Sequence, residues 1–269
     1  MICVIPFGVS VLHELDELHP LSQVETTSPR AVKHAALLLE SDLLSTPAQH
    51  SEVPVGVTSE TVAALHALYE RYETNLEEEY ARLVIDGDVP VETYPLYERF
   101  ASLTAKEIAA AEIQKTDNVL FIGSGPFPVS PILLHQQSGG ARIHCFDSSQ
   151  EACDTSRRLV ARLGLQQAIT IERKAGQDAR LPSASAPGEM SEYDVVVVAL
   201  LARPKQRLLN RIRETTRLGT RVVLRTSEGN RRLLYAAAED ICISGFEEIG
   251  AYHAGANETI SGVVLQRAA

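Results

Sequence analysis

The run Asn118-Val119-Leu120-Phe121-Ile122-Gly123-Ser124-Gly125-Pro126-Phe127-Pro128 limits what this chain can fold into more than any other segment. Its apolar first half suits a strand buried on both faces, and its glycines allow positive φ and close backbone approach to a ligand. Asp147 follows about twenty residues later, at the end of a second apolar run, the layout of a nucleotide-binding βαβ unit. In such a unit the turn backbone faces the ligand and the acid takes ribose hydroxyls.

The rest of the chain from about Asp117 continues the alternation. Strands are predicted at Val119–Ile122, Ala141–Phe146, Ile169–Glu172, Tyr193–Leu200 and Thr220–Arg225, with helices at Pro131–Gln136, Ser149–Leu163 and Lys205–Thr216 between them. The continuous β-branched run Val195-Val196-Val197-Val198 reads as a central parallel strand. Segments Gly245–Tyr252 and Thr259–Gln266 read as a closing antiparallel hairpin. The sum is an α/β fold with a doubly wound, Rossmann-like sheet over residues 117–269. Residues 1–116 read as a helical domain that caps the sheet and builds a substrate pocket. Helices are expected at Ala31–Leu44, from Thr58 or Ser59 to Asp86, and at Leu96–Gln114. In the second of these, Leu65, Tyr69, Tyr72, Leu76, Tyr80 and Leu83 recur at helical spacing.

The net charge of −10 argues against nucleic acid or an anionic membrane as partner. No run reaches the roughly 18 apolar residues that a membrane span needs, and the N-terminus lacks the basic start of a signal peptide. Four cysteines without close pairing suit reduced thiols, so a cytoplasmic location is expected. His13 and His19 are too far apart to share a helical face, and no metal is expected in the protein.

The glycine corner departs from a dinucleotide fingerprint. Pro128 occupies the sixth position of G-x-G-x-x-G, and Pro126 and Pro131 crowd the helix start, which weakens it as a pyrophosphate site. A nucleoside without phosphates fits better, and S-adenosylmethionine (adenosine joined to an amino acid through a sulfonium) is the expected co-substrate. Gly123, Ser124, Gly125, Pro126, Asp147 and Ser148 would hold it, helped by Gln177, Asp178, Ala199, Leu200 and Leu201. A catalytically silent binding module and an ordinary methyltransferase remain open on these residues alone.

Three blocks carry a resemblance to a known family. Phe121-Ile122-Gly123-Ser124-Gly125-Pro126-Phe127-Pro128-Val129-Ser130 is similar to the F-I-G-[SG]-G-P-L-P-L-[ST] signature of the nicotianamine synthases. The block Ala199-Leu200-Leu201-Ala202-Arg203-Pro204-Lys205-Gln206-Arg207 is similar to that family's A-x-[LV]-x-x-x-K-x-x. Arg225-Thr226-Ser227-Glu228-Gly229-Asn230-Arg231-Arg232-Leu233-Leu234-Tyr235 resembles the R-T-x-x-G-x-R-x-x-L-Y of archaeal members. The resemblance runs from about Leu68 to Val264 and is nearest to small bacterial members that make opine metallophores. It implies transfer of the 2-aminobutanoate part of S-adenosylmethionine to an amine, with methylthioadenosine as leaving group.

The resemblance also assigns roles. Glu77, in Asn75-Leu76-Glu77-Glu78-Glu79-Tyr80-Ala81, matches the family's catalytic glutamate and would take the amine's proton. Read without it, Glu77 is a solvated carboxylate in an acidic run. Glu73, Tyr97, Phe100, Arg203, Pro204 and Arg231 are the expected substrate contacts, with Arg231 as a fork for a carboxylate. Phe100 stands where the family has a tyrosine, so that hydroxyl is missing or comes from Tyr97 or Tyr94. This departure and the short chain favour one aminobutanoate unit added to histidine over several units condensed as in nicotianamine. A homodimer is compatible with the surface charge, and an opine dehydrogenase is the expected downstream partner.

Overall fold

The computed structural model describes residues 28–45, 47–176, 192–238 and 241–269. The chain divides into two compact units, each assembled from separate stretches. The first takes residues up to Leu76, then Ser227–Ala237 and His253–Ile260; the second takes Glu77–Thr226, Ala238–Tyr252 and Ser261–Ala269. This division differs from a single boundary at residue 116: residues 77–116 belong with the sheet, and two later stretches belong with the helices.

In the first unit, helix α1 (Pro29–Leu43) begins with Ser28, whose hydroxyl accepts the Ala31 N–H, and with proline where no N–H is needed. Val32, Ala35, Ala36, Leu39 and Leu43 form its buried stripe. Helix α2 (Ser59–Asp86) starts with the Thr58 hydroxyl accepting the Thr61 N–H at 3.1 Å. Leu65, Leu68, Tyr69, Tyr72 and Leu76 are its buried residues in this unit, as their spacing requires. The Tyr69 ring meets that of Tyr235 edge-on at 5.1 Å. Removing side chains of this size from water stabilises by about 1.5–3 kcal/mol each.

The second unit is a seven-stranded sheet in the order β3-β2-β1-β4-β5-β7-β6. Strands β1 (Asn118–Ile122), β2 (Arg142–Asp147), β3 (Ile169–Arg173), β4 (Val195–Val198) and β5 (Arg221–Thr226) are parallel. Strand β6 (Phe246–Tyr252) lies at the edge, and β7 (Ser261–Arg267) enters antiparallel between it and β5. The four valines of β4 are each at 0% exposure, which is what a strand covered on both faces demands. Helix α3 (Tyr97–Ala111) precedes β1, α4 (Val129–Gln137) joins β1 to β2, α5 (Gln150–Arg162) joins β2 to β3, and α6 (Lys205–Thr215) joins β4 to β5. The fold is the expected Rossmann-like α/β sheet.

One expectation about the glycine corner is corrected. The prolines do not break the start of α4: Pro128 is its N-cap and Pro131 sits in its first turn, where backbone N–H groups have no helical acceptor. The helix follows the bend directly.

Candidate active site

The strand order reverses between β1 and β4, and ligands of such sheets lie beyond the carboxyl ends of the strands at that point. Three segments converge there. Gly123–Pro126 follows β1, Asp147 ends β2, and Ala199–Leu201 follow β4.

The bend is held by backbone and carboxylate together. The Gly123 N–H donates to the Phe146 carbonyl at 2.7 Å, and the Gly125 N–H donates to Asp147 Oδ2 at 2.9 Å. The other oxygen, Oδ1, accepts the Ser149 N–H at 2.9 Å, at the start of α5. Asp147 therefore braces the bend and the neighbouring helix, and each oxygen keeps a second lone pair for a ligand hydroxyl. Both glycines are required by conformation: φ is +87° at Gly123 and +66° at Gly125. At Gly123 a Cβ would press on those of Ala199 and Ala202, at 3.2 and 3.3 Å.

The decisive neighbour is on α2. A Cβ built on Gly125 would lie 2.7 Å from Glu77 Oε2. The carboxylate thus reaches the very glycine whose N–H is bonded to Asp147. Two acids flanking one bend make a poor seat for a pyrophosphate and a good one for a cation.

Aromatic rings back this corner. Tyr94 is buried and packs on Phe127 of the glycine loop at 4.7 Å between centroids, with Tyr80 edge-on at 5.6 Å and Phe100 stacked at 6.4 Å. Phe100 thereby joins the wall through Tyr94. Tyr97 is half-buried; burial, then Glu92 and Glu98, raise its hydroxyl's pKa, so it stays protonated at neutral pH. Ser124 is buried, as is the Cys145 thiol beside it, whose pKa burial pushes far up. Ala199 and Leu200 are buried at the end of β4, whereas Leu201, Arg203, Pro204 and Ser148 are exposed. Gln177 and Asp178 lie outside the described residues.

Two expected substrate residues have other partners, both in the first unit. The Glu73 carboxylate accepts the Tyr235 hydroxyl at 2.5 Å. Arg231, at 0% exposure, donates from all three guanidinium nitrogens to the Leu43, Gly255 and Glu258 carbonyls and to Asn230 Oδ1. These bonds make a clasp on backbone carbonyls, which differs from the open carboxylate fork expected of Arg231.

Two polar groups of the sheet unit escaped sequence reasoning. Arg225 on β5 forms a buried bidentate pair with Glu107 of α3, at 2.7 and 2.9 Å. The Tyr252 hydroxyl donates to Glu107, and Arg225 also donates to Ser130 Oγ. The second is Lys205, whose ammonium turns inward beneath the loop after β4. Each had a trace in the sequence, Arg225 ending a strand and Lys205 opening a helix, but an exposed cation is the ordinary reading of both.

Comparison with known proteins decides the family. Residues 11–269 match the family described as nicotianamine synthase protein. The chain belongs to the nicotianamine synthase family. Among curated relatives of this family, nicotianamine synthase 9 of Hordeum vulgare is 30% identical over 209 residues, covering 72% of this chain and 59% of the barley protein. The L-histidine 2-aminobutanoyltransferase of Pseudomonas aeruginosa is 28% identical over 145 residues, covering 52% of this chain and 50% of that protein. These matches span about half to three fifths of each relative's length. A mutant of MtNAS, solved in complex with S-adenosylmethionine, superposes with a TM-score of 0.79 at 23% identity, over 93% of this chain and 95% of that one. That likeness establishes a shared fold.

Proposed function

We propose that this nicotianamine synthase family member transfers the 2-aminobutanoate group of S-adenosylmethionine to the amine of histidine, as the first step of an opine-type metallophore. The observation that carries the reading is the Glu77 carboxylate at the Gly125 bend, opposite Asp147. A sulfonium nucleoside suits that corner: ribose hydroxyls find Asp147, and the positive sulfur finds a negative surround. The incoming amine attacks the methylene carbon γ to the carboxylate. The carbon–sulfur bond breaks, its electron pair stays on sulfur, and methylthioadenosine leaves. The amine's proton passes to Glu77, a general base. A sulfonium activates all three of its carbons, so the work of the site is to aim the nucleophile at one of them. Gln177, Asp178, Leu201, Arg203 and Pro204 belong to the proposed cofactor and acceptor contacts.

Histidine is preferred over repeated aminobutanoate addition because Phe100, ring-stacked beside Tyr94, brings no hydroxyl to the wall, and because one relative is named for that reaction. The plant relatives named as nicotianamine synthases favour the second reading, with several units condensed.

Incubation of the purified protein with S-adenosylmethionine and L- or D-histidine, followed by mass spectrometry, tests this. The expected products are methylthioadenosine and histidine bearing one aminobutanoate. Nicotianamine without histidine consumption supports the second reading. S-adenosylhomocysteine, or binding with unchanged co-substrate, overturns both.

A further inference from the structure

The nucleoside corner has a cation built into its foundation. Lys205 opens α6 yet is only 9% exposed. Its ammonium donates to the carbonyls of Ala199 at 2.8 Å, Leu200 at 3.0 Å and Ala202 at 3.3 Å. Among the described residues its acceptors are these three carbonyls and no carboxylate. An ammonium has three N–H groups, so the three carbonyls use its whole donor capacity. The same loop presents the Ala199 and Ala202 methyls to the α-carbon of Gly123, where even a Cβ would be crowded. The loop whose carbonyls Lys205 holds is thus the one that packs on the glycine bend.

We infer that Lys205 is a positioning residue for nucleoside binding: its charged form folds the Ala199–Ala202 loop into the wall that the glycine bend and its ligand rest on. This rests on the proposal that S-adenosylmethionine binds at that bend. A neutral amine offers two N–H groups and a lone pair, so on deprotonation one carbonyl loses its donor and faces electron density instead. The loop then relaxes away from Gly123.

Burial, then Arg203 in the same loop and Arg225 on the neighbouring β5, bring the Lys205 pKa down from 10.5 to about 7. Arg225 is itself paired with Glu107 of α3, so Arg203 and Arg225 are the charges that act on the ammonium from the loop and from β5. The sign follows. Below about pH 7 the ammonium is intact and the wall is formed; as pH rises through that value the clasp is lost and nucleoside binding weakens.

Methylthioadenosine is the right probe, because it lacks the amino-acid tail whose own amine titrates. Its affinity is measured by calorimetry for the whole protein at pH 6 and pH 8.5. Wild type is expected to bind about tenfold more weakly at the higher pH, the size of one lost charge-assisted hydrogen bond. Lys205→Arg keeps a permanent charge and should remove that pH dependence; Lys205→Met should bind weakly at both values, with circular dichroism reporting that each variant is folded. Equal wild-type affinity at the two values, or an unchanged pH dependence in Lys205→Arg, overturns the inference while leaving the proposed function standing. No binding by wild type at either pH overturns both.

Discussion

Glu77 and Gly125 are one packing unit at the scale of single residues. The glycine is needed twice over: its φ of +66° disfavours any side chain, and a Cβ would occupy the space of the Glu77 carboxylate. The N–H of that glycine is committed to Asp147, so the two acids are spaced by a backbone that neither can push aside. Glu77→Gln keeps the shape and a hydrogen-bonding group but cannot take a proton. Turnover, followed as methylthioadenosine release, is expected to fall by at least about 100-fold, with S-adenosylmethionine affinity within a few-fold of wild type. Full turnover in the variant would remove Glu77 from the chemistry. The sequence alone left this residue divided between a base and one acid in a solvated run, because helical spacing fixes a face and not what that face meets. Arg231 shows the converse limit of local patterns. Its burial is dictated by carbonyls of Leu43, Gly255 and Glu258, none of them near it in sequence, and no local pattern announces such a clasp.

At the scale of elements, the buried Glu107–Arg225 pair joins α3 to the sheet. Both side chains are nearly inaccessible, at 0% and 3%, and each has further hydrogen bonds, from the Tyr252 hydroxyl and to Ser130. Breaking such a pair from one side leaves a charge without its partner in a dry interior. Arg225→Met is expected to lower stability by about 3–5 kcal/mol in chemical denaturation, and Glu107→Leu in the same chain to restore a good part of it. If the single variant melts as wild type does, the pair is not what holds α3. Ser130 lies in the first turn of α4, just past the glycine loop, so the network also anchors the helix that follows the bend. The strands were legible because this sheet is written in period and composition: the valines of β4 and the apolar runs of β1 and β2 have few other uses. The start of α4 was misread because prolines are helix breakers only after the first turn.

At the scale of the whole molecule, the expected boundary at residue 116 gave way to a division that no composition shift marks. The chain leaves the sheet unit after β5 and again after β6, adding Ser227–Ala237 and His253–Ile260 to the first unit. Those excursions carry much of that unit's polar and aromatic cement: Asn230, Arg231 and Tyr235, with carbonyls from Gly255 and Glu258. Residues 28–76 alone lack all of it. As an isolated peptide this stretch is expected to show at most fraying helicity, with no cooperative thermal transition in circular dichroism; a sharp melt would mean that its own apolar stripes suffice.

The same interleaving bears on how the protein is born. Residues 28–76 leave the ribosome early, but the arginine and tyrosine that seat them arrive only after residues 77–226 have been made. Throughout that interval the stripes of α1 and α2 wait for part of their cover, which makes this early stretch a natural client for a chaperone during synthesis.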